Sequence, residues 1–337
     1  MKVGLIDVDS HNFPNLALMK ISAWHKAQGD EVEWCIPLNH YDVVYTSKVF
    51  GDEYTHLDPT VIQADKIIYG GTGLAISVVD GKEVYTKADD PELPYEIEHS
   101  FPDYSLYPEY TKDTAYGFLT RGCPNNCGFC LVSKKEGRVS HKVADLSEFW
   151  NGQKNIVLLD PNILACRNHE ELLKQLVYSN AYVEFNQGID ARFINESNIE
   201  LLSQIKMKII HFAFDFMENE ERIIRGLQLA KQHLKLSDRN SVVYMLTNFD
   251  TSIKDDLYRV EMLKDIGFSP DVRIYRKAGL PKRHILRDLQ RWCNNRFLFR
   301  SCSFLDYVPR ADGVPIRELY KDVLQGCEVS WNKEAKV

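Results

Sequence analysis

The chain has no uninterrupted apolar stretch of the roughly 18 or more residues that crossing a bilayer requires. Its first residues, MKVGLIDVD, lack a cationic start, a long apolar segment and a small-residue cleavage site, so no signal peptide is read and a cytoplasmic protein is expected. Internal repeats and low-complexity tracts are also missing. Nor is there an excess of positive charge: 41 Lys and Arg stand against 48 Asp and Glu, for a net charge of −7. That balance argues against a globally basic nucleic-acid binder and mildly favours a small or peptide substrate, while leaving room for a local basic surface.

What is present is enough for a large core. A chain of 337 residues, 44% hydrophobic and 26% charged, exceeds the size at which one core usually suffices, and two domains are expected. Eight cysteines in a chain without an export signal do not suggest a disulfide framework, because reducing cytoplasm keeps thiols free. Any tight cluster of them points instead to metal binding or catalysis. Cys123, Cys127 and Cys130 form such a cluster. Cys35, Cys166, Cys293, Cys302 and Cys327 are scattered and read as small buried hydrophobes.

Strand and helix patterns alternate along the chain. Strands are expected at Val3 to Asp7, Val32 to Cys35, Asp42 to Tyr45 and Lys66 to Tyr69, with a helix from about Asn15 to Gln28. The last strand feeds into Gly70, Gly71 and Gly73. Interleaving of this kind implies an α/β fold with a parallel, doubly wound sheet whose crevice lies at the strand ends. Between Asp80 and Asp113 the pattern weakens into prolines, acids and Tyr95, Tyr104, Tyr107 and Tyr110, which reads as a linker packed on the surface. A second alternation follows, with strands at Ala115 to Leu119, Ile156 to Leu159, Tyr182 to Asn186, Ile209 to Phe216, Val242 to Thr247 and Val272 to Tyr275. Six strand–helix units fit a partial (β/α)6 barrel of the TIM type, with catalytic groups at the carboxyl ends of the strands. The expected division is a Rossmann-like parallel-sheet domain over 1–95, a linker over 96–113, the barrel over 114–280 and a helical extension over 281–337.

The first strand of the second half runs into Leu119-Thr120-Arg121-Gly122-Cys123-Pro124-Asn125-Asn126-Cys127-Gly128-Phe129-Cys130, a CxxxCxxC spacing in a strand-end loop. Soft thiolates select iron–sulfur or zinc, and a cubane cluster with three protein ligands leaves its fourth iron open to an outside ligand. Zinc would normally close a tetrahedron, and no partner pair of cysteines or histidines follows. Gly122, Pro124 and Gly128 suit a loop that must turn tightly around its ligand. The motif, with Phe129 just before the last cysteine, resembles that of the radical S-adenosylmethionine superfamily. The resemblance implies that Cys123, Cys127 and Cys130 hold a four-iron, four-sulfur cluster. It further implies that S-adenosylmethionine chelates the open iron and is reductively cleaved to a 5′-deoxyadenosyl radical, with an electron donor such as flavodoxin or ferredoxin as partner.

The same resemblance suggests roles for later strand ends. Where relatives often carry Gly-Gly-Glu, this chain has Leu159-Asp160-Pro161-Asn162; Asp160 or Asn162 offers acceptor oxygens to the methionine ammonium, and the Asp-Pro pair reads equally well as a turn. Arg192, in Asn186-Gln187-Gly188-Ile189-Asp190-Ala191-Arg192, is expected to pair with the methionine carboxylate or, alternatively, with Asp190. Gln187 and Asp190 are candidates to face the substrate. Asp215 is the candidate for the ribose hydroxyls, and Thr247 and Asn248 for polar contacts around the nucleoside.

The amino-terminal half resembles the cobalamin-binding-like domain often fused before a radical barrel. The known form uses Asp-x-His-x-x-Gly; here Asp9-Ser10-His11-Asn12-Phe13-Pro14 keeps the acid and the imidazole and replaces the glycine. By resemblance His11 would ligate cobalt with Asp9 behind it, and Gly70, Gly71 and Gly73 would let backbone approach a nucleotide tail. Asp9, Ser10 or Asn12 could equally cap the next helix. Bound cobalamin would point to methyl transfer.

From Arg273 to Arg300 there are nine Lys and Arg against one acid, Asp288. This pattern fits an RNA or anionic-substrate surface, but Leu280, Ile285, Leu286, Leu289 and Trp292 at helical spacings favour an amphipathic helix with a solvated basic face. The leading expectation is therefore a radical enzyme whose small-molecule, peptide or RNA substrate is open. The contrasting one is a noncatalytic iron–sulfur or zinc module that binds a partner.

Overall fold

The computed structural model describes residues 1–52, 54–55, 62–79, 82–309 and 313–325. The chain divides into two compact units, Met1–Glu184 and Phe185–Val337, each with its own packing. It is an α/β protein built on parallel sheets of four and six strands.

In the first unit, β1 (Lys2–Asp7), β2 (Glu31–Trp34), β3 (His40–Ser47) and β4 (Gln63–Gly70) pair in parallel in the order β2-β1-β3-β4. Val3 and Leu5 of β1 bury against Leu18 and Ile21 of the helix Leu16–Ala27. That helix is capped by none of the three residues expected to do so. Asn15 caps it instead, accepting from the Leu18 N–H at 3.2 Å while its own amide donates to Ser47 Oγ at 2.8 Å. A buried asparagine that serves two elements at once fixes where the helix leaves the sheet.

A hairpin of β5 (Ile76–Val79) and β6 (Lys82–Tyr85), not expected from the sequence, follows. Its signal was present, since Asp80-Gly81 between two short runs rich in valine is a hairpin pattern. The segment 96–113 is packed within the first unit. Ile97 joins the core of β1, Tyr107 donates its hydroxyl to Asp7 at 2.6 Å, and Tyr104 donates to the Phe149 carbonyl at 2.5 Å. Burial pushes both phenols well above the usual tyrosine range.

The remaining strands of this unit are β7 (Thr114–Gly117), β8 (Thr120–Arg121), β9 (His141–Lys142) and β10 (Asn155–Leu158). β7 and β10 run parallel, and β8 and β9 form a short antiparallel ladder with Thr120 opposite Lys142 and Arg121 opposite His141. The ladder closes the base of the loop that carries the three cysteines.

β11 (Tyr182–Ile189), β12 (Lys206–Ala213), β13 (Ser241–Thr247) and β14 (Pro270–Ile274) complete the larger sheet, whose order is β14-β13-β12-β11-β10-β7. Most strand bounds shift from expectation by one to three residues, and two of the shifts lie near candidate site residues. β11 continues to Ile189 instead of stopping at Asn186, and β12 ends at Ala213 rather than Phe216. The second ends early because the Asp215 side chain, not its backbone, meets the neighbouring strand, accepting from the Leu246 N–H at 2.8 Å.

The expected amphipathic helix is present at Ile285–Cys293. Leu289 and Trp292 are fully buried with Met245, Val260 and Val272, whereas Arg287 and Gln290 are half-buried and Arg291 is exposed. Cys166 and Cys293 are buried as expected of small hydrophobes, Cys35 and Cys302 are half-buried, and Cys327 lies outside the described residues. No helix among the described residues is long and apolar enough to cross a membrane.

Candidate functional site

The cysteine loop is shaped by the chain on both sides of it. Gly122 sits at φ +82°, and a Cβ there would lie 2.2 Å from the Val139 carbonyl oxygen, so no residue with a side chain fits without moving backbone. Its N–H donates to Glu136 Oε2 at 3.0 Å, and Arg121 pairs with the other oxygen of the same carboxylate at 3.0 Å. The Cys123 N–H donates to the Gly137 carbonyl at 3.2 Å. The segment 136–139 thus folds back and clasps the loop's entrance. At the far end the Cys130 N–H donates to the Cys127 carbonyl at 3.0 Å, turning the chain into the helical turn Val132–Lys135. All three cysteines and Phe129 are half-buried.

Asp160 and Asn162 both reach this loop. Asp160 is fully enclosed; it accepts from the Thr120 N–H at 2.5 Å, the Thr120 hydroxyl at 2.7 Å and the Leu119 N–H at 3.2 Å. Burial raises its pKa to about 6 against the pull of those donors. Its carboxylate is therefore spent on the strand that leads into the cysteines, which makes it a positioning residue and not the expected acceptor for an ammonium. Asn162, also buried, directs its side-chain amide nitrogen to Cys123 Sγ at 3.7 Å, and its backbone carbonyl accepts from the Ser140 hydroxyl at 2.8 Å. An N–H aimed at a sulfur is the kind of contact that tunes a thiolate ligand.

In the second unit, Arg192 adopts the alternative reading. It forms a two-pronged pair with Asp190, Nε to Oδ1 at 2.8 Å and Nη2 to Oδ2 at 2.7 Å, and Asp190 also accepts from the Arg192 N–H at 3.2 Å. Gln187 is exposed. Asp215 is pushed up by burial, an effect opposed by the Leu246 N–H and by the charges of Arg259 and Arg192. Thr247 is buried with its hydroxyl 3.3 Å from the Arg273 carbonyl, and Asn248, at φ +63°, donates to the Tyr275 carbonyl at 2.8 Å. These two side chains tie strand ends together instead of projecting as a nucleoside rim.

The sequence reading missed Arg259. It is fully buried and donates to the carbonyls of Phe214 at 2.5 Å and Leu246 at 2.9 Å while pairing with buried Asp256. One guanidinium thereby fixes the strand ends on either side of Asp215. Glu136 was missed as well, since nothing local marks a carboxylate that clasps a loop fourteen residues earlier.

The amino-terminal loop departs further from expectation. Asp9 is buried and gives both oxygens to backbone, accepting from Val49 N at 2.6 Å and Phe50 N at 3.0 Å. It does not stand behind His11, which is exposed and stacked near Phe50 at 6.3 Å between ring centres. Gly71 and Gly73 do permit a close approach, but of protein: a Cβ on either would lie 2.2 Å from the carbonyl oxygen of Lys48 or Phe50, respectively. These residues do not fit a corrin held by an acid-oriented imidazole.

The cysteine loop supplies thiol donors of the type and number that an iron–sulfur cluster takes, with the Asn162 amide nitrogen 3.7 Å from one sulfur. Among the described residues, no group of three or more His, Cys, Asp or Glu side chains is arranged to hold a metal ion. Comparison with family models and with curated proteins finds no match to this chain.

Proposed function

We propose that the chain is a radical S-adenosylmethionine enzyme whose cluster is held by Cys123, Cys127 and Cys130. The observation that carries this reading is the CxxxCxxC loop itself, with Phe129 before its last thiol, Gly122 locked at its entrance and Asn162 on Cys123 Sγ. A bound four-iron, four-sulfur cluster would take one electron from a donor such as flavodoxin or ferredoxin and pass it to S-adenosylmethionine, releasing methionine and a 5′-deoxyadenosyl radical. The chain's part is to hold three thiolates. Glu136 and Asp160 fix the backbone on either side of Arg121, and the Asn162 amide stabilises charge on Cys123 Sγ.

In this reading the four-stranded sheet is a Rossmann-like domain and the six-stranded sheet a partial barrel of the TIM type, working in a reducing cytoplasm that keeps the thiols available. Anaerobic reconstitution with iron and sulfide, followed by S-adenosylmethionine and dithionite, tests it. The expected result is 5′-deoxyadenosine formation that disappears in Cys127→Ala. A protein that loads its cluster and produces none would instead be an iron–sulfur module without this activity.

A further inference from the structure

The helix Ile285–Cys293 buries one face, and its other face lines a surface cavity of about 380 Å³. Arg287, Gln290, Arg291 and Asn294 follow one another at helical spacing along this wall, and Lys277 and Lys282 supply the other side from the preceding segment. Four of the six lining residues are cations and none is an acid.

Their partners decide what the cavity can take. Arg287 is held by backbone carbonyls alone: Nε donates to Pro281 O at 2.8 Å, and Nη2 donates to Lys277 O at 2.7 Å and Leu280 O at 2.9 Å. Carbonyl dipoles fix the guanidinium plane without neutralising its charge. Lys277 donates to Gln290 Oε1 at 2.5 Å, an uncharged acceptor. Among the described residues no carboxylate pairs with Lys277, Lys282 or Arg287. Only Arg291 has one, Asp288 at 3.2 Å, and the nearby Asp271 is engaged by Arg273 at 2.9 Å.

We propose that this cavity is a binding site for a phosphate group. A cation already fixed in orientation loses little side-chain freedom when an anion arrives, and a planar guanidinium beside two ammonium groups suits phosphate oxygens. The phosphate can belong to a compact phosphorylated molecule or to a nucleic-acid backbone. Neither source depends on the cysteine loop, so the site stands or falls separately from the proposed radical chemistry.

Calorimetric titration of the full-length chain with inorganic tripolyphosphate at low salt tests the site. Saturable binding is expected, weakened about ten-fold or more by Lys282→Glu, which reverses an exposed charge in the lining. Arg239→Glu makes the same charge change outside the lining and is expected to alter affinity by less than about two-fold. Absence of saturable binding, or equal weakening by both variants, would overturn the proposal. A short single-stranded RNA that displaces tripolyphosphate, with an affinity falling steeply with salt, identifies the source as nucleic acid; failure to displace it identifies a compact ligand.

Discussion

One carboxylate oxygen of Asp160 accepts from both the backbone N–H and the hydroxyl of Thr120, at 2.5 and 2.7 Å, three residues before the first cysteine of the loop. The interaction spans forty residues of sequence and fixes the strand from which the cysteine loop departs.

Asp160 makes stability depend on pH in an identifiable window. Burial raises its folded pKa from 3.8 to about 6, so the native state binds more protons than the unfolded chain between those values. Unfolding free energy therefore falls as pH rises through the window, by at most about 1.4 kcal/mol per pH unit from this group, and levels off above it. Urea midpoints measured from pH 4 to 7 should show Asp160→Asn gaining on the wild type up to about pH 6. A constant difference across that range would contradict the assignment.

Gly122 and Gly137 both have positive φ, at +82° and +90°, but only Gly122 has backbone where a Cβ would go. Gly137→Ala should cost about 1 kcal/mol from conformational strain alone. Gly122→Ala should cost several times more and should also lower the iron bound per chain after anaerobic reconstitution. Iron and sulfide analysis beside thermal melts would separate these effects, and equal behaviour of the two variants would refute the clasp.

Arg259 and Asp256 are both buried, with the arginine also supporting two strand-end carbonyls. Arg259→Met should destabilise the protein by about 3–5 kcal/mol, because it leaves a buried carboxylate without its partner. Adding Asp256→Asn should recover part of that loss. A double-mutant cycle in urea with no coupling between the sites would show that the pair acts independently.

The helix Ile285–Cys293 should respond very differently on its two faces. Leu289→Ala, at a fully buried position, is expected to cost about 2–5 kcal/mol. Arg291→Ala, whose side chain is 59% exposed, should change stability by no more than about 0.5 kcal/mol. Denaturation midpoints that shift equally would contradict the burial pattern.

The strands were legible because apolar runs such as Ile156 to Leu158 declare themselves locally, and the larger sheet follows that pattern closely. Helical spacing likewise revealed the buried face that holds Leu289 and Trp292. Spacing alone also singled out the three cysteines. The destinations of polar side chains were not legible, since a carboxylate looks the same in sequence whether it meets a ligand or backbone. Asp9 and Asp160 both proved to serve backbone N–H groups forty residues away, and Arg192 chose the acid two residues before it. Arg259 could not be found by pattern, because its neighbours in the helix give no sign that the chain's strand ends converge on it.

Where Gly71 and Gly73 meet Lys48 and Phe50, the first sheet ends in a joint made of main chain pressed on main chain. Such a joint has no side chain to trade for a larger or smaller one, so substitution offers no gradual route to retuning it. Evolution or engineering of that corner must proceed by insertion, deletion or wholesale replacement of the crossing segments, while the strands leading into it remain open to ordinary drift.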